Sequence, residues 1–172
     1  MTVTVDDILE NYEKDLENAK QGKCKKISWC TDFKEGFLEA YNADYKAKLE
    51  SIKEKLIARG HSAYLEEESQ DEIFYGFSFS LIPRHLLTGP IDRFFPSSIK
   101  SSISFKANEH TLTVDMETAV RPVIEKMESS VMEKIPRNEF SEARLLKEIK
   151  SFISKVFNET ISMDFNREQK KK

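Results

Sequence analysis

The chain has 172 residues, 39% hydrophobic and 33% charged, with five glycines and five prolines. That composition excludes collagen-like, mucin-like and low-complexity disordered chains and predicts one soluble, helix-rich globular domain. Thirty acidic against twenty-seven basic side chains leave a net charge of -3, too balanced to make nucleic acid or an anionic membrane the default partner.

Met1 to Asp7 places carboxylates where a secretory signal needs a basic start and an apolar segment, so secretion by that route is not expected. A capping-box-like pair, Thr4 and Asp7, opens a first helix to about Lys20. Ile8, Leu9, Tyr12, Leu16 and Ala19 form its apolar stripe on an otherwise acidic surface. In the basic connector that follows, the Cys24 and Cys30 spacing fits neither a C-x-x-C redox pair nor a zinc half-site. Free thiols in a reducing cytosol are the expectation, with a local disulfide around Trp29 as the alternative.

Thr31 or Asp32 caps a longer second helix, with Phe33, Phe37, Tyr41, Tyr45, Leu49, Ile52 and Leu56 along one side and Gly60 as its stop. The period then changes from helical to alternating. A short strand is predicted over Ser62 to Glu67, an acidic turn over Glu66 to Glu72, and a strong strand over Ile73 to Ile82. In that strand Ile73, Tyr75, Phe77, Phe79 and Leu81 share one side; Phe74, Gly76, Ser78, Ser80 and Ile82 share the other. Even this longest apolar stretch is about half a membrane-spanning helix.

Two strands follow in a hairpin, with Ile99, Ile103 and Phe105 on odd positions and Leu112, Val114 and Met116 on even ones. A two-residue loop at Asn108 and Glu109 pairs Phe105 with Leu112 and Ile103 with Val114. A third helix is expected from Arg121, with Pro122 at its first position and Val123, Ile124, Met127, Val131 and Ile135 facing inward, until Pro136 stops it. Asn138 or Ser141 caps the last helix, whose broad stripe of Leu145, Leu146, Ile149, Phe152, Ile153, Val156 and Phe157 predicts burial on more than one side. Residues 166–172 form a polar, basic tail expected to fray. The order predicts an α+β single domain over 1–165: two N-terminal helices, an antiparallel sheet of about four strands, and two C-terminal helices packed on one sheet face.

No dinucleotide, Walker, zincin, EF-hand or nucleophile-elbow motif occurs. His61, His85 and His110 lie more than twenty residues apart, so neither a metal nor another cofactor is expected. The second sheet face is small and polar, with Phe74 its main aromatic, and lacks the rings on which single-stranded RNA would stack. Nucleic acid is therefore a third-rank partner, carried only by the lysines at 23–26 and 170–172.

The segment Pro83 to Ser98 is the candidate functional loop. Loops of that length in compact domains are uncommon and often functional, and arginine beside aromatics is the composition of interface anchors. Arg84, His85, Arg93, Phe94 and Phe95 are its partner-binding candidates. The plainer reading folds Leu86, Leu87, Ile91, Phe94 and Phe95 back as a lid over the sheet edge. Two functions are weighed. The first is a non-enzymatic cytoplasmic protein-binding, inhibitor or accessory protein acting on a protein partner through this loop or the acidic first helix. The alternative is a small-molecule-binding domain or enzyme, its pocket lined by Tyr41, Tyr45, Tyr75, Phe77 and Phe79 with Arg84 or His85 at the mouth.

Overall fold

A computed structural model of the chain describes residues 33–70, 73–87, 99–121 and 129–169, together with Glu13 and Glu17. Five strands form one antiparallel meander in sequence order, β1 (Ser62–Gln70), β2 (Ile73–Ile82), β3 (Ser101–Asn108), β4 (Thr113–Val120) and β5 (Ser129–Pro136). Helix α1 (residues 33–58), the short α2 (Arg84–Leu87) and the long α3 (Glu142–Gln169) complete it. The α+β class holds, with corrections: the described residues form five strands instead of about four, and one C-terminal helix instead of two. The first predicted helix lies outside the described residues except for Glu13 and Glu17, which are helical and exposed. Cys24 and Cys30 lie outside them as well. Among the described residues no helix is long and apolar enough to cross a membrane.

Helix α1 buries Phe33, Phe37, Tyr41, Tyr45 and Leu49, a run of steps of four. A strict helix of 3.6 residues per turn would rotate such a run by about 40° at each step. The π-helical segment Tyr41–Tyr45 widens the turn and keeps the run on one face. At the far end Gly60 adopts φ +86, its N–H bonds the Ile57 carbonyl, and the His61 N–H reaches back to Leu56. These paired bonds form the Schellman closure that a glycine in this position allows.

Inward-facing residues of the sheet meet α1 over β1 and β2 and α3 over β2, β3 and β4. A chain of rings runs through this core: Tyr41 on Phe77 at 4.6 Å, Phe77 on Phe105 at 5.4 Å and Phe105 on Phe140 at 5.7 Å. Such pairs add roughly 0.5–1.5 kcal/mol each beyond the area they bury. On α3, Leu145, Ile149, Phe152 and Val156 make one fully buried stripe, flanked by half-buried Leu146, Ile153 and Phe157. Ser141 caps this helix by accepting the Arg144 N–H at 3.2 Å. The backbone stays helical through Gln169.

Three local expectations are overturned. The acidic run is strand up to Gln70, and only residues 71 and 72 separate β1 from β2. A bulge in β2 puts Glu68 opposite Gly76 and Ser69 opposite Phe74, so the face reverses there. Phe74 packs inward on Tyr41 at 5.3 Å, while the Tyr75 ring lies under Lys106 on the outward face. In the β3–β4 hairpin Phe105 pairs with Met116 and Ala107 with Val114, four residues from the expected register. The Asn108 side chain sets this longer turn. Its Oδ1 accepts the His110 and Thr111 N–H groups and its Nδ2 donates to Asp115, an Asx turn in place of a two-residue loop that lacks glycine. Leu112 takes the left-handed position, φ 54.

The third expected helix is the largest error. Residues 129–136 are β5, an edge strand pairing Ile135 with Val114 and Val131 with Thr118. Residues 122–128 lie outside the described set.

Candidate functional site

The outward sheet face is internally satisfied. Gly76 and Ser78 on β2 are small, so side chains from the β3 side reach across them to β1: Lys106 pairs with Glu68 at 3.0 Å and Lys100 with Glu66 at 3.2 Å. The same lysines cover Tyr75 and Tyr64. A Cβ on Gly76 would stand 2.4 Å from the Phe105 carbonyl oxygen, so only glycine admits this close strand approach. Glu66, Glu67 and Glu68 of the acidic run, expected as a solvated loop, are thus paired strand residues, and Asp71 and Glu72 lie outside the described residues. The inward member of the run, Glu67, binds Lys46 at 2.7 Å beside Tyr41. The buried Tyr41 hydroxyl faces the Glu67 carboxylate. Burial, reinforced by Glu67 and Glu50, pushes its pKa upward, and the phenol stays neutral.

Basic groups gather at the carboxyl end of α1. Arg59 ends the helix, His61 opens β1, and Arg84 and His85 begin α2 directly after β2. The Arg84 N–H donates to His61 Nδ1 at 3.0 Å, which makes that nitrogen an acceptor and favours the neutral ring. Burial first, then the charges of Arg84, His85 and Arg59, hold the imidazole below its ordinary value. A helix C-terminus by itself favours imidazolium, but desolvation and neighbouring cations outweigh the dipole here. The His61 ring packs on Phe157 of α3 at 4.9 Å, fixing the cluster against the core. Arg59, Arg84 and His85 are exposed, and neither arginine forms an ion pair among the described residues. The helix's terminal carbonyls favour this concentration of cations.

Of the five predicted partner-binding residues, Arg84 and His85 fall in this cluster. Arg93, Phe94 and Phe95 lie outside the described residues. Sequence reasoning missed Arg59, whose place beside the Gly60 helix stop was the available signal.

A second feature sits roughly 30 Å away by helix length, along the first half of α1. A half-open cavity of about 170 Å3 is walled by Phe33, Phe37, Tyr45 and Phe140, closed on the sheet side by Val114, and rimmed by Gly36 and Arg137. It lies between helix and sheet, as the alternative reading required, but its lining differs. Tyr45 alone of the five expected residues reaches it; Tyr41, Phe77 and Phe79 are core, Tyr75 faces outward, and the nearby cation is Arg137. No group of three or more His, Cys, Asp or Glu placed to hold a metal ion occurs among the described residues. No family model, curated protein or solved structure matches the chain.

Proposed function

We propose that the chain is a non-enzymatic cytoplasmic binding protein that docks an acidic protein partner on the basic end built by Arg59, His61, Arg84 and His85. One observation carries this reading: basic side chains from the end of α1 and the start of α2 converge there, two of them arginines without an ion pair among the described residues, whereas Lys100 and Lys106 are held by glutamates. Charged surface left uncompensated steers association with an oppositely charged partner. Further along the same sequence segment, Arg93, Phe94 and Phe95 are of the arginine and aromatic types that dominate interface energetics.

Affinity capture with identification by mass spectrometry tests the reading. A partner retained by the wild-type chain is expected to be lost both with Arg84→Glu and with Arg93, Phe94 and Phe95 changed to Ala, while the melting temperature of each variant stays within a few degrees. Retention by both variants contradicts the proposal. Loss accompanied by collapse of the melting temperature makes the segment part of the core instead.

A further inference from the structure

The cavity beside Arg137 is independent of the basic end, and its chemistry is specific. Gly36 lies inside α1, where glycine is a poor helix former, yet among the described residues no neighbour requires its lack of a side chain: a Cβ built there meets none of their heavy atoms within 4 Å. The missing side chain leaves the cavity mouth open. Inside, Phe140 meets Phe37 at 5.8 Å and Tyr45 edge-on at 6.0 Å, so an aromatic guest would find both ring faces and ring edges. At the rim the Arg137 guanidinium rests over the Phe33 ring at 5.6 Å and forms no ion pair among the described residues.

We propose that this cavity binds a small aryl carboxylate, with the ring lying against the wall of Phe33, Phe37, Tyr45 and Phe140 and the carboxylate on the Arg137 guanidinium. Size supports a single ring with a short tail, since a cavity of roughly 150 Å3 in another protein admits benzene. A planar guanidinium fork pairs with a carboxylate through two parallel hydrogen bonds. Electrostatics orient the guest as well. Burial, then the carboxylates of Asp44 and Glu142, raise the Tyr45 pKa, marking that side as unfavourable to a second negative charge. The anionic end therefore belongs at Arg137.

Isothermal titration with 3-phenylpropionate and its neutral amide, 3-phenylpropanamide, tests the site. The wild-type chain is expected to bind the acid saturably and at least about tenfold more tightly than the amide. Arg137→Gln should remove that preference, and Gly36→Leu should abolish binding of both compounds with an unchanged or higher melting temperature, because the new side chain fills open space. Acid and amide of equal affinity, full binding by a folded Gly36→Leu variant, or no saturation of the wild type by about 10 mM acid would each overturn the proposal.

Discussion

His61 joins burial, charge and hydrogen bonding in one side chain. Its Nδ1 accepts the Arg84 N–H, and protonation would turn that acceptor into a donor. The folded-state pKa is depressed below the ordinary 6.5, so the unfolded chain takes up the proton first as pH falls. The contribution to stability is thus complete above about 6.5 and is lost as pH drops through the lower folded value. The wild-type melting temperature should fall more steeply between about pH 7.5 and pH 5.5 than that of His61→Asn, which keeps an acceptor without titrating in that range. Parallel profiles for the two proteins would refute this role.

Among the elements, those with a single consistent signal were legible. Helix α1 has a long aromatic stripe and a glycine stop, β2 alternates from Gly76 to Leu81, and Ser141 is an ordinary cap placed before a broad apolar stripe. Where one spacing suits two structures, the reading failed. Val131 and Ile135 are four residues apart, and positions four apart share a face in a helix and in a strand alike. Pro136 can end either. As an edge strand, β5 also buries little: Val131 is 51% and Met132 66% exposed. The β2 bulge was hidden for a different reason, because Phe74 and Tyr75 are equally good strand residues and only the close approach at Gly76 decides which of them turns inward. In the hairpin, side-chain hydrogen bonding overrode the shortest loop. Removing it through Asn108→Ala should lower stability by about 1–2 kcal/mol, as read from urea unfolding. A variant as stable as the wild type would mean that the sheet pairing alone sets the turn.

At the scale of the whole molecule, near-neutrality is the outcome of opposed blocks meeting across the sheet. Residues 61–82 carry five carboxylates and no lysine or arginine, and residues 83–108 carry four basic side chains and one aspartate. Folding sets Glu66 and Glu68 against Lys100 and Lys106, so two of the five carboxylates and two of the four basic side chains meet within the outward face. Lys34 with Glu109 and Arg144 with Glu133 tie other parts of the surface together in the same way. Pairing of this kind could not be read from composition, because it depends on small residues at Gly76 and Ser78 letting side chains cross a whole strand. Arg59 and Arg84 at the basic end are the exception to it among the described residues. The candidate site was accordingly legible only in part: Arg84 and His85 stood out as basic residues beside apolar ones, but Arg59 and His61 join them only once α1 and β2 finish at the same end of the sheet. The most direct test is the affinity of the captured partner for wild type and for Arg59→Glu/Arg84→Glu, measured from about 50 to 500 mM salt. The account predicts wild-type binding that weakens with salt and a folded variant that binds at least about tenfold more weakly at low salt. Equal affinity of the two proteins, or wild-type binding indifferent to salt, would contradict it.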